Sequence, residues 1–189
     1  MLDKNWLFIV LCITVLFYSY SCKLFSTSDQ RFIVHTPDDS NIEFSNDISY
    51  TNEMNPYTYR SYFNGGGVGL GDFNNDGFVD IYLTGNRSDN KLYLKNGDFT
   101  FRDATQKAGV ASKGSWSTGV SVVDINGDGL LDIYVCKSGS PGGPNRENEL
   151  FINQGDTTFS EEAEEYGLDI QSLCTHTAFF EMVIWICIY

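Results

Sequence analysis

D-F-N-N-D-G-F-V-D runs from Asp72 to Asp80, and D-I-N-G-D-G-L-L-D runs from Asp124 to Asp132. Each stretch places oxygen-bearing side chains at positions one, three, five and nine and glycine at position six. Alternate residues of a tight loop can all point at one centre, and a hard cation such as Ca2+ takes six to eight oxygen ligands. Gly77 and Gly129 supply the backbone freedom for the sharp turn. The expected ligands are the side chains of Asp72, Asn74, Asp76 and Asp80 with the carbonyl of Phe78. In the second loop they are Asp124, Asn126, Asp128 and Asp132 with the carbonyl of Leu130. A single D-x-N-x-D-G would be ordinary turn chemistry, since Asp, Asn and Gly dominate turns. Two copies that both run into Asp-Ile-Tyr, at Asp80–Tyr82 and Asp132–Tyr134, favour the cation.

The flanks decide which kind of loop this is. An EF-hand needs a bidentate Glu at position twelve and a helix on either side. Position twelve is Leu83 in one loop and Val135 in the other, and I-Y-L-T and I-Y-V-C are strand-forming runs. Val68-Gly69-Leu70 and Gly119 to Val123 precede the loops in the same style, so each loop joins two strands. A dockerin-like module, whose D-x-N-x-D-G loops continue into helices, is disfavoured on the same ground.

The repeat extends beyond the loops. Asn90, Leu92, Gly97, Asp98, Phe101 and Gly109 are matched by Asn148, Leu150, Gly155, Asp156, Phe159 and Gly167. The offset is 52 residues at the loops and 58 here, the difference being an insertion around Ser138-Gly-Ser-Pro-Gly-Gly-Pro144 whose composition reads as a surface loop. Each unit offers about four short strands with one acidic turn and one Gly-Asp hairpin, which fits a β-propeller blade.

From N-G-G-G-V-G-L-G-D-F-N-N-D-G at Asn64 to Gly77 and the two units that follow, the chain resembles the FG-GAP/VCBS repeat, the blade of integrin-α-like propellers. More narrowly, it resembles the ASPIC/UnbV-associated bacterial lipoprotein branch. The resemblance covers roughly residues 41–169 and implies calcium in the acidic loops and a cell-surface or secreted setting. The glycines of G-G-G-V-G-L-G do not fit the dinucleotide pattern G-x-G-x-x-G, and they lead into an acidic loop instead of a helix N-terminus.

The ends carry different signals. Lys4 followed by the apolar run Trp6 to Tyr18 and then Ser19-Tyr20-Ser21-Cys22 reads as a targeting segment, too short to span a bilayer. A bacterial lipoprotein signal, cleaved before Cys22 with that cysteine lipidated, is the leading expectation. Ser19 stands where Leu is usual, which leaves an ordinary secretory signal or an uncleaved anchor open. At the other end, Phe179 to Tyr189 is apolar, unpatterned and falls where a third acidic loop should begin. Reading the codons of Glu181 to Tyr189 from the third base of the first gives [ND]-G-[DNHY]-[LM]-D-[LM]-[YH]-[LI], which parallels D-G-F-V-D-I-Y-L at Asp76 to Leu83. The expectation is a frameshift near Phe180 and a truncated or frameshifted fragment.

The sequence thus predicts an all-β chain: a partial β-propeller of about two to three four-stranded blades with calcium-binding loops, preceded by an N-terminal signal helix. Its divisions are a lipoprotein signal peptide (1–21), a lead-in with first strands (22–63), blade repeats (64–170) and an aberrant tail (171–189). Twenty-five acidic against 12 basic residues, a formal net charge of −13, oppose binding to phosphate backbones, so nucleic acid is excluded. Glu161, Glu162, Glu164 and Glu165 read as an ordinary solvated face. Of five cysteines, Cys12 lies in the signal, Cys22 is the lipid site and Cys187 is in the tail; Cys136 on a strand and Cys174 in a loop read as buried or idle rather than paired. His35 and His176 lack ligand spacing, so zinc or His-based catalysis has little support. The functional expectation is a non-enzymatic binding, adhesion or scaffold module of the cell envelope. It would be held to the membrane by lipid on Cys22 and take an extracellular protein or glycan as partner. The alternative is a fragment of a propeller-fold polysaccharide lyase or hydrolase with its catalytic residues outside this chain. The insertion from Ser138 to Asn145 is either a partner-binding loop or a tolerated surface insertion.

Overall fold

The computed structural model describes residues 32–139 and 143–180. The chain divides into two compact units, residues 1–35 and 36–189, and every element below belongs to the second. The expected signal segment, Cys22 and residues 181–189 lie outside the described residues.

Among the described residues eight strands form two antiparallel sheets, each a four-strand meander. β1 (Val68–Gly71), β2 (Asp80–Leu83), β3 (Lys91–Lys95) and β4 (Phe101–Asp103) pair in chain order, as do β5 (Ser117–Val123), β6 (Asp132–Lys137), β7 (Glu149–Asn153) and β8 (Phe159–Glu161). The registers correspond across the repeat: Tyr82 opposes Leu92 in the first sheet as Tyr134 opposes Leu150 in the second. The expected four strands per unit are therefore present twice. Two one-turn helices complete the described elements, α1 (Pro37–Ser40) and α2 (Thr105–Ala108). The lead-in expected to carry first strands holds α1 and no strand among its described residues.

Side chains that alternate along a strand face opposite sides of the sheet. Ile133 and Val135 join Val120 and Phe151 on one face of the second sheet, packed against Phe73, Tyr82, Leu92, Leu94 and Val110 of the first. Tyr134 and Cys136 point the other way, with Leu150, Ile152 and Ala163, against Ile125, Leu168, Cys174 and Phe179. The second cluster repeats the first one unit along the chain: Tyr134, Leu150, Ile125 and Leu168 take the places of Tyr82, Leu92, Phe73 and Val110.

A third layer begins at the far face. In the first junction a Cβ on Gly67 would lie 2.8 Å from the Thr118 carbonyl oxygen of β5. In the second, a Cβ on Gly119 would lie 2.5 Å from the Thr175 carbonyl oxygen. Thr118 Oγ1 donates to the Cys174 carbonyl at 2.7 Å and Ser121 Oγ to the Thr177 carbonyl at 2.6 Å. Residues 174–180 thus lie along β5 as β5 lies along β1. Only glycine allows backbones this close, so Gly119→Ala should displace the 174–180 segment. The expected cost is about 1–3 kcal/mol, read as a lower urea midpoint and faster proteolysis within 171–180; an unchanged midpoint would show that the segment yields freely.

The lead-in is tied to the first sheet by paired amides. Asn46 Nδ2 donates to Asn86 Oδ1, and Asn86 N donates to Asn46 Oδ1, both at 2.8 Å. Tyr59, Tyr62 and Trp116 form a buried aromatic cluster with Ile48 and Met54 against it. Ser138, placed by composition in a surface loop, is buried: its N–H continues the path of β6 by donating to the Trp116 carbonyl at 2.9 Å, and its hydroxyl hydrogen-bonds Tyr59 Oη. Among the described residues no helix is long and apolar enough to cross a membrane.

Candidate metal centre

Both acidic loops join the first two strands of their sheet, 72–80 between β1 and β2 and 124–132 between β5 and β6. Their backbones match. Position six is left-handed in each, with φ of 87° at Gly77 and 86° at Gly129; position four is left-handed too, at Asn75 (54°) and Gly127 (76°). Asn is the non-glycine residue that tolerates this region best, which explains how N-N-D-G and N-G-D-G share one geometry.

Inside each loop the oxygens are organised by backbone donors. Asp72 accepts from Asp76 N at 3.0 Å and Gly77 N at 2.7 Å, Asn74 Oδ1 from Asp76 N at 3.1 Å, and Asp76 Oδ1 from Phe78 N at 2.9 Å. Asp124 accepts from Asp128 N at 3.1 Å and Gly129 N at 2.9 Å, Asn126 Oδ1 from Asp128 N at 3.0 Å, and Asp128 Oδ1 from Leu130 N at 2.8 Å. The Asn74 amide nitrogen donates to Asp76 Oδ2 at 2.8 Å, and Asn126 does the same to Asp128 at 2.9 Å. The loops are open to solvent between positions four and six.

Position nine is different. Asp80 and Asp132 are fully buried at the loop base. Asp80 accepts from Phe73 N at 3.0 Å and from Lys95 N, on β3, at 2.8 Å. Asp132 accepts from Ile125 N at 3.0 Å and Asn153 N, on β7, at 2.9 Å. Each carboxylate therefore fastens the start of its loop to the end of the third strand. Burial raises the pKa of both above the ordinary carboxylate range. The backbone N–H groups oppose this, and the charges of Asp76 and Asp72, or of Asp128 and Asp124, add to it.

Each loop carries all the side chains expected there, but they do not close into a cage. Among the described residues no three Asp, Glu, His or Cys side chains converge as metal ligands; the carboxylates turn onto backbone N–H groups instead. The donor set nonetheless suits a hard cation. Each loop offers three carboxylates, one amide oxygen and the carbonyl of Phe78 or Leu130, with no sulfur or imidazole among them. An oxygen that accepts one N–H retains a lone pair for a second partner. The like charges that raise Asp80 and Asp132 are what a bound cation would offset.

Other buried polar groups escaped the sequence reading. Asn90 Nδ2 donates to Tyr82 Oη at 3.0 Å, and the tyrosine donates to the Val110 carbonyl at 2.6 Å. Asn148, Tyr134 and Leu168 repeat this at 2.8 and 2.9 Å. The recurrence of Tyr82 and Asn90 as Tyr134 and Asn148 in the second unit was the available signal. Buried Lys137 pairs with half-buried Glu149 at 2.5 Å, and Ser112 donates to the same carboxylate. Glu161, exposed as the solvated-face reading expects, also accepts from Leu150 N and Ala163 N.

These features define a tandem β-repeat protein, two copies of one sheet with one acidic loop each. Residues 72–135 match the FG-GAP-like repeat family. Cartilage acidic protein 1 of Homo sapiens is 35% identical over 85 residues, covering 45% of this chain and 12% of that protein. Cartilage acidic protein 1 of Xenopus tropicalis is 33% identical over 87 residues, covering 46% and 13%. The chain thus spans about one eighth of the length of the curated relatives it matches.

Proposed function

We propose that this chain supplies calcium-stiffened propeller blades to an extracellular or cell-surface binding module that performs no chemistry of its own. The observation that carries this reading is the duplication of the loop ligands and of most of their backbone hydrogen bonds at two sites fixed to two sheets. Asp72, Asn74, Asp76, Asp80 and the Phe78 carbonyl hold one Ca2+. Asp124, Asn126, Asp128, Asp132 and the Leu130 carbonyl hold the other. Cation binding neutralises the repulsion within each loop and ties its exposed tip to the buried carboxylate at its base. Rigid blades then present their face loops to an extracellular protein or glycan. Lipid on Cys22 holds the module to the cell envelope. The FG-GAP-like match and the likeness to cartilage acidic protein 1 support this reading over a catalytic one.

The test is thermal unfolding of the purified chain with millimolar calcium and with EDTA, alongside magnesium. Chelation should lower the Tm, and calcium should restore it better than magnesium, which demands near-ideal octahedral geometry. A melt indifferent to calcium would overturn the proposal.

A further inference from the structure

We infer that Cys136 and Cys174 form a reversible disulfide that clasps the 174–180 segment to the second sheet. Cys136 is buried on β6, and Cys174 is partly exposed on the segment that lies along β5. Their sulfurs are 2.8 Å apart although the residues are 38 positions apart in the chain. The backbone around the pair is fixed from both sides. Cys174 N donates to the Lys137 carbonyl at 3.2 Å, and the Thr118 hydroxyl reaches both the Cys136 carbonyl at 3.1 Å and the Cys174 carbonyl at 2.7 Å. Thr177 Oγ1 lies 2.8 Å from Cys136 Sγ.

The repeat shows what the pair replaces. Cys136 occupies the position held by Thr84 in the first sheet, whose hydroxyl donates to the Thr118 carbonyl and so fastens β5 to the end of β2. At the second junction the equivalent side chain is a thiol that faces a second thiol. A hydrogen-bonded fastening is thereby exchanged for one that responds to redox conditions.

The order of events follows from exposure. The Cys174 thiolate attacks one sulfur of a small disulfide such as oxidised glutathione, forming a mixed disulfide and releasing one glutathione thiolate. Cys136 then gives up its proton and attacks the Cys174 sulfur, releasing the second glutathione. Two electrons pass from the protein sulfurs to the oxidant, and the two thiol protons end on the released glutathione. Burial pushes the Cys136 thiol up to about 12, so it is the resolving and not the attacking group. The inference rests on this geometry and is independent of calcium binding.

The full chain is equilibrated in an oxidised/reduced glutathione buffer, its remaining thiols are alkylated, and it is cut at Lys, Arg and Glu. Glu181 separates Cys174 from Cys187, so the partners are unambiguous. The expected product joins the peptide Gly114–Lys137 to Tyr166–Glu181. Oxidation should also slow amide exchange in 175–180 and raise the Tm, and Cys174→Ser should lose both effects while keeping the fold. Full alkylation of Cys136 and Cys174 in the oxidising buffer, or pairing of Cys174 with Cys187 or Cys22, would overturn the inference.

Discussion

Asp132→Ala is expected to destabilise the chain by about 3–5 kcal/mol, since it strands two buried donors at about 1–3 kcal/mol each and loosens the loop they anchor. The donors are Ile125 N, at the loop's second position, and Asn153 N, at the end of β7. The loss spreads, because the Asn153 side chain also donates to the Phe73 carbonyl in the first acidic loop at 2.8 Å. One carboxylate thereby links the second loop, the third strand of its own sheet and the loop of the neighbouring sheet. Against a typical domain stability of about 5–15 kcal/mol this is a large fraction. Asp80→Ala removes the same two bonds in the first sheet. It should cost less than Asp132→Ala, because Lys95 replaces Asn153 and sends its ammonium over the rings of Phe78 and Phe99 instead of bridging sheets. Asp132→Asn is the informative control. It keeps the shape and one acceptor but turns an amide N–H2 toward a backbone N–H, so an intermediate loss is expected. Urea midpoints of the three variants check the order; equal midpoints for Asp132→Asn and wild type would show that one acceptor suffices.

How far these roles were legible in sequence depended on the range of the interaction. The loops were legible because their donors are local: alternate oxygens and a glycine within nine residues dictate one turn. The strands followed from β-branched and aromatic runs between turn residues, and the period gave the four strands per unit. Position nine was read only as a ligand. Its second role, anchoring Lys95 or Asn153, spans strands and appears only when the third strand is in place. Cys136 and Cys174 were unreadable as neighbours for the same reason, since their contact is made by the stacking of the 174–180 segment on β5. Ser138 misled because Ser, Gly and Pro are turn formers on average, whereas its own N–H extends β6 beneath Tyr59. The lead-in misled in the opposite sense: residues that could extend into strands are held instead by amide pairs such as Asn46 with Asn86.

Asp76→Ala combined with Asp128→Ala should abolish the calcium response while leaving the cation-free fold nearly intact. Both residues are exposed at position five, and each accepts one backbone N–H, from Phe78 or Leu130, and one side-chain amide N–H, from Asn74 or Asn126. Removing such a bond costs about 0.5–1.5 kcal/mol, and the loss of a repelling charge offsets part of it. The effect on binding is far larger. Sites of extracellular affinity, about 10⁻⁴ to 10⁻³ M, gain about 1.4–2.7 kcal/mol each at about 10 mM calcium, so the two together contribute about 3–5 kcal/mol. The wild type should show this as a calcium-dependent rise in Tm and the double variant should show none. Asp80 and Asp132 set the pH dependence. Their folded pKa values lie above the ordinary carboxylate value. Without cation the proton-linked part of their contribution to stability is therefore fully present below the ordinary carboxylate value and is lost as pH rises through those raised values. Calcium held by the ionised form would reverse that loss, so its stabilising increment should be largest at neutral pH and shrink as protons compete on the way down. A calcium increment that survives in the double variant would move the cation to other oxygens. An increment that is constant with pH would remove Asp80 and Asp132 from its coordination.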